Sequence, residues 1–192
     1  MSLWASGISY CLTPAGFVEA FEWARRTVGH AGASLGLGED EWFCVFAYTL
    51  HRWESEPGPF KLANGCLRFP EQYAAELEWL LPYTHLLAGA LRKLPPFSGE
   101  VFRRVDLPED VLEGARAGRF SDRAFLSCSE EPNLDTFPGK DMLVIHSRTG
   151  RSIAALSRYP QEREVVFLPE TVFDVTQMVQ RGQNTILRLT EA

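Results

Sequence analysis

Hydrophobic positions along the chain change their period near the middle. Phe17, Ala20, Phe21 and Ala24 recur at three- and four-residue spacing after Thr13-Pro14, an N-cap and first-turn pair, and predict a helix. A second helix is expected over Glu39–Trp53, where Trp42, Phe43, Phe46 and Leu50 form one stripe. Phe60–Leu67, Glu71–Leu81 and His85–Leu94 complete the helical set before Pro95-Pro96 stops it. Beyond that point the pattern becomes short and strand-like. Val101–Val105, Ala124–Ser127, Met142–Ile145, Arg163–Phe167, Thr171–Val175 and Thr185–Leu189 are the strand candidates, with a short helix over Pro108–Glu113 ended by Gly114. Pro132-Asn133, Pro138-Gly139 and Thr149-Gly150 mark turns between them. Helices first and strands after predict an α+β fold, as one domain over 1–192 with a helical part at about 1–98 and a β-rich part at 99–192. Neither internal repeats nor low-complexity stretches are seen.

Composition narrows the class. The 192 residues suffice for one domain with its own core, and 45% hydrophobic with 23% charged residues is typical of a folded, soluble protein. Apolar runs fall short of the roughly 20 residues of a membrane helix, so no membrane partner is expected. The first residues lack a basic segment followed by an apolar run, so no secretory signal is expected. A domain excised from a longer chain would begin in the same way. The net charge of −6 counts against a general nucleic-acid binder, although Arg103-Arg104, Arg116, Arg119 and Arg123 form a local basic group. Cys11, Cys44, Cys66 and Cys128 show no metal-binding spacing, and His30, His51, His85 and His146 are scattered. Reduced, buried cysteines and no metal are the expectation.

Three polar elements interrupt apolar strands. Arg103 follows Phe102; Ser127 and Ser129 alternate with Leu126 and Cys128; Glu162 and Glu164 stand two apart, as on one face of a strand. Read singly, each is an ordinary surface charge or strand-end serine. Together, in this order, they could line a cleft for a pyrophosphate substrate whose leaving group departs from a sugar carbon. An arginine fork binds phosphate oxygens. A carboxylate can stabilise charge developing toward an oxocarbenium ion, and a second can orient or deprotonate a nucleophile. No GxGxxG or GxxxxGK[ST] sequence is present, so neither a Rossmann dinucleotide site nor a P-loop is supported.

These residues resemble the motifs of the mono-ADP-ribosyltransferases of the Arg–Ser–Glu class, which include bacterial toxins and arginine-specific ectoenzymes. Phe102-Arg103-Arg104 resembles the family's aromatic-Arg-Gly strand. Phe125-Leu126-Ser127-Cys128-Ser129 resembles its Ser-Thr-Ser strand, and Glu162-Arg163-Glu164-Val165-Val166-Phe167 its Glu-x-Glu strand. Ser157–Gln161 looks like the loop that presents the acceptor. Tyr48-Thr49, Asn64 and Leu67-Arg68 resemble a helical pattern of the family, so the likeness spans about Glu39 to Val175. Arg104 stands where the family usually has glycine, and Cys128 replaces the middle threonine.

The resemblance implies a helical N-terminal segment packed on a two-sheet, mainly antiparallel β core. It implies NAD as a consumed substrate, not a hydride carrier. By the same resemblance Arg103 holds NAD through its phosphates, Ser127 supports the nicotinamide-ribose side, and Ser129 is a weaker structural candidate. Phe137 either stacks on nicotinamide or plugs the core. Glu164 bonds the ribose and stabilises the oxocarbenium-like state, Glu162 engages the acceptor, and Tyr159 either packs on the acceptor or is a plain surface residue. The implied reaction is transfer of ADP-ribose to a macromolecular acceptor, protein arginine being favoured and RNA or DNA the alternative. Water as acceptor, or a silent partner-binding domain of the same fold, are further alternatives. The implied setting is a bacterial toxin or delivered effector acting in a target cytoplasm, which would meet a neutralising immunity protein in the producer.

Overall fold

The computed structural model describes residues 14–50, 52–53, 56–132 and 137–192. Their contacts divide the chain into two compact units, one of residues 1–95 with 153–160, the other of 96–152 with 161–192. Thr13 and Cys11, singled out above, lie outside the described residues.

The first unit is helical. Helix α1 (Pro14–Thr27) starts on Pro14, and α2 (Gly29–Ser34) and α3 (Glu39–Tyr48) follow. Every residue from Trp42 to Tyr48 is buried, so α3 is a core helix enclosed on all sides. Its first turn is acidic: Glu41 accepts the Gly38 N–H at 2.9 Å and pairs with Lys93 at 2.7 Å. Gly32 allows α2 to close on α3, because a Cβ there would come within 2.4 Å of the Trp42 side chain. Rings of Phe17, Phe21, Trp42, Phe43 and Phe46 pack edge-on or stacked around this contact.

Two helical expectations need correction. The helix expected over Glu39–Trp53 ends at Tyr48, where the Thr49 hydroxyl bonds back to the Phe46 carbonyl at 2.7 Å. Arg52–Trp53 (β1) pairs instead with Glu56–Pro57 (β2). After α4 (Pro59–Arg68), the two helices expected over Glu71–Leu81 and His85–Leu94 are a single α5 (Ala74–Lys93) running through Pro82. Proline removes one ladder donor. The buried stripe Leu80, Tyr83, Leu87 and Leu91 continues across it, and burial of that stripe outweighs the missing bond. The Tyr83 carbonyl accepts from Cys44 Sγ at 3.7 Å, joining α5 to α3.

Residues 153–160 belong to this unit. The Arg158 guanidinium lies 3.9 Å from the Trp23 ring centroid, and the Arg158 backbone N–H donates to Thr49 Oγ1 at 2.9 Å.

The second unit is built on strands β3 (Pro96–Val105), β4 (Arg119–Ser121), β5 (Leu126–Ser129), β6 (Asp141–Ser152), β7 (Glu164–Phe167), β8 (Val172–Arg181) and β9 (Asn184–Glu191), with α6 (Glu109–Arg116) between β3 and β4. Their order is β3-β5-β7-β6-β9-β8-β4, and β3 also pairs with β6, so the first four close a ring. The seven strands are thus hydrogen-bonded into one mostly antiparallel sheet that closes on itself through the long strands β3 and β6. Only β6–β9 is parallel among these pairings; the rest are antiparallel. Strand β3 begins at Pro96, five residues before the expected start, and β4 was not expected at all. Inward residues such as Val101, Leu126, Cys128, Ile145, Val165 and Phe167 form one apolar cluster. Gly182, at φ 63°, makes the two-residue turn between β8 and β9. Cys44, Cys66 and Cys128 are free and buried.

Candidate active site

The site is organised by the pairing of β5 with β7. Their register sets Ser127 opposite Val166 and Ser129 opposite Glu164. Leu126, Cys128, Val165 and Phe167 therefore turn to the core, while Ser127, Ser129 and Glu164 share the other face. Both strands are buried over their whole length, so these polar groups are shielded from bulk water.

Glu164 is 6% exposed and accepts a hydrogen bond from the Ser127 side chain. Burial pushes its carboxyl up to about 7; the Ser127 bond opposes this, the Glu162 charge adds to it, and Arg103 opposes it. Arg103, half-buried on β3, donates from Nη1 to the Ser127 carbonyl at 2.5 Å. The guanidinium carbon, Cζ, lies 4.9 Å from the Phe137 ring centroid, leaving other donors of the fork for a ligand. Phe137 is half-buried against this cation and outside the apolar core cluster. It shares a shallow depression with Phe102, Arg103, Arg104, Glu131 and Pro132. Arg104 is exposed.

The Glu-x-Glu element differs from the expected strand. Glu162 ends a 3-10 turn (Pro160–Glu162), and Arg163 adopts a left-handed φ of 45°. Only Glu164 belongs to β7, so the two glutamates do not share a strand face by alternation. Ser129 holds this turn: its Oγ donates to the Glu162 carbonyl at 2.7 Å and accepts the Glu131 N–H at 2.9 Å. The Glu130 N–H donates to the Arg163 carbonyl at 3.2 Å. Arg163 in turn pairs with Glu130 at 2.5 Å and Glu131 at 2.8 Å. These two acids are not among the residues expected above; their one signal in the sequence is a cation between two glutamates matched by consecutive acids after the serine strand.

Cys128, on the opposite face, has its thiol pushed up to about 12, chiefly by burial, and is no nucleophile at neutral pH. Among the described residues no group of three or more His, Cys, Asp or Glu side chains could hold a metal ion. No helix among them is long and apolar enough to cross a membrane.

A buried carboxylate beside an arginine is an arrangement able to steady a developing positive charge. A sequence profile of NAD:arginine ADP-ribosyltransferases matches residues 19–192. The NAD(+)–protein-arginine ADP-ribosyltransferase Tre1 of Pseudomonas putida is 35% identical over 145 residues, 74% of this chain and 28% of the relative. Tre1 of Serratia proteamaculans is 29% identical over 165 residues, 85% of this chain and 34% of the relative. The chain thus spans about a third of the length of these curated relatives. The crystal structure of the ADP-ribosyltransferase Vis in complex with agmatine superposes with a TM-score of 0.66 at 21% identity, covering 91% of this chain and 85% of Vis. With the profile spanning nearly all of the described residues, the chain belongs to the NAD:arginine ADP-ribosyltransferase family.

Proposed function

We propose that this chain transfers ADP-ribose from NAD to the guanidinium of an arginine on a target protein. The observation that carries the reading is Glu164, a buried carboxylate bonded by Ser127 and flanked by the charges of Arg103 and Glu162. Family membership and the arginine-directed names of the Tre1 relatives support it, and so does the agmatine, a small guanidine, bound in the Vis crystal.

In this reading Arg103 binds the phosphates of NAD, with Phe137 backing its guanidinium or stacking on nicotinamide. Ser127 orients Glu164. The bond between the ribose anomeric carbon and the nicotinamide nitrogen breaks, and its electron pair leaves with nicotinamide. Glu164, ionised, stabilises the oxocarbenium-like carbon. A guanidinium nitrogen of the acceptor attacks that carbon and releases a proton, with Glu162 as the base or orienting group. The chemistry is glycosyl transfer, and water competes as acceptor.

Transfer to RNA or DNA is the second reading, and the basic group argues against it. Arg116 pairs with Glu109 at 2.7 Å and Arg119 with Asp174 at 3.4 Å, so two of its cations are already offset by acids of this chain. We further infer a delivered bacterial toxin or effector, with an immunity protein in the producing cell, from the bacterial relatives.

The test is incubation of the purified chain with labelled NAD and either agmatine or a cell lysate. Label is expected to move to the guanidine and to protease-sensitive, nuclease-resistant material. Glu164→Gln is expected to lower nicotinamide release by about 10²–10³-fold, the scale on which groups that stabilise transition-state charge act. Release that persists undiminished in that variant overturns the catalytic role of Glu164.

A further inference from the structure

We propose that Arg163 is a positioning residue for the acceptor side of the reaction, a clamp that sets where Glu162 projects. This rests on the role given to Glu162 above. A left-handed φ is uncommon for a residue bearing a Cβ, and something in the surroundings must hold it. Glycine would adopt the turn without strain. Arginine at this position adds a long side chain, and that side chain spans both carboxylates at the exit of β5.

Two layers of bonds join the turn to that exit. Main-chain and hydroxyl bonds tie the Glu162 carbonyl to Ser129 and the Arg163 carbonyl to Glu130. The Arg163 fork then closes on Glu130 and Glu131. Charge balance gives the same assignment. Glu130, Glu131, Glu162 and Glu164 crowd four acids around one turn, and Arg163 is the cation the structure places against two of them. Without it, repulsion among the acids would move the turn.

The two glutamates depend on the clamp unequally. Glu164 is fixed by the β5–β7 ladder and by its burial. Glu162 lies outside the strand, at the end of the 3-10 turn that runs directly into the left-handed Arg163. Loss of the clamp should therefore reach the acceptor step and spare NAD cleavage. Because the Arg163 side chain is 52% exposed, its ion pairs add little to folding, and its variants should fold.

The experiment compares wild type, Arg163→Ala, Arg163→Gly and Arg163→Lys in the full chain. It measures KM for agmatine, nicotinamide release without acceptor, and amide exchange at Glu130. KM for agmatine is expected to rise about tenfold in the Ala and Gly variants, within the range that small displacements of a positioned group cause. Acceptor-free release should stay within about twofold, and Lys should restore part of the loss. Wild-type KM in Arg163→Ala, or an equal fall in both reactions, overturns the proposal. If wild type cleaves no NAD, the functional reading fails and exchange decides the clamp: faster exchange at Glu130 in Arg163→Ala supports it, and unchanged exchange refutes it.

Discussion

Asp141 and Glu164 are both acids buried in the strand unit, 1% and 6% exposed, yet their surroundings are built to opposite ends. Asp141 sits at the start of β6 and accepts the backbone N–H groups of Leu107 at 3.0 Å and Thr185 at 2.7 Å. Glu191 follows the same plan: it accepts the N–H groups of Arg148 and Thr149 and the Thr149 hydroxyl. Rigid backbone donors solvate these carboxylates, which tie β6 to β9 and, through Leu107, to the segment after β3. Glu164 is given one hydroxyl, a neighbouring acid and a half-buried arginine; burial, helped by the Glu162 charge and opposed by the Ser127 bond and Arg103, raises its carboxyl to about 7. An acid left short of donors costs stability and stays available to a ligand, which is the usual trade at a site.

The largest expected effect breaks the satisfied side of this contrast. Asp141→Ala would leave the Leu107 and Thr185 N–H groups without their acceptor in a buried place. At roughly 1–3 kcal/mol for each of the two stranded donors, the loss should be about 2–6 kcal/mol. For a chain of this size that lowers Tm by on the order of 10 °C, measurable by calorimetry. A change of under about 1 kcal/mol would mean that water or a shifted side chain replaces the carboxylate.

Next in size is the pH dependence of stability at Glu164. A carboxyl raised from 4.5 to about 7 binds its proton more tightly in the folded state. The native chain then carries more protons than the unfolded one between those values, so stability falls as pH rises through that window and is flat above it. At about 1.4 kcal/mol per pH unit, the cost of ionising Glu164 reaches about 3 kcal/mol. Glu164→Gln removes this cost. Denaturant unfolding should find the variant more stable than wild type at pH 8, with the gap closing toward pH 4. A gap that does not change with pH would show that Glu164 is solvated as well as Asp141.

The Glu164 side of this contrast could be read from the chain, and the unread part has physical causes. Arg103, Ser127 and Glu164 stood out because each interrupts a short apolar run, and β5 and β7 do alternate as that pattern requires. Alternation assumes an extended backbone, and it placed Glu162 on the same face because nothing in the letters announces a left-handed Arg163. Glu130 and Glu131 were not singled out, since their partner arrives from more than thirty residues away. Pro82 signalled a helix end by local chemistry, and the buried stripe on α5 overrode it. Strand β4, with three residues, is too short to show a period. Local pattern reached the residues proposed for the chemistry, and missed the bonds that hold them in place.

The smallest expected effect sharpens the contrast by removing one of its causes. Glu162 adds to the rise at Glu164, after burial and against the Ser127 bond. In the proposed reaction Glu164 acts ionised, so kcat/KM for acceptor-free NAD cleavage should climb through pH 7, reporting the free protein. Glu162→Gln takes away a like charge, and the midpoint of that climb should move to lower pH, by on the order of half a unit given that burial is untouched. The same variant should lose transfer to agmatine while keeping NAD cleavage at pH 8. A midpoint that stays fixed would assign the rise at Glu164 to burial alone. It would also imply that the Glu162 side chain is turned far enough away for water to screen its charge, which would leave the acceptor without a second carboxylate close to the reacting carbon.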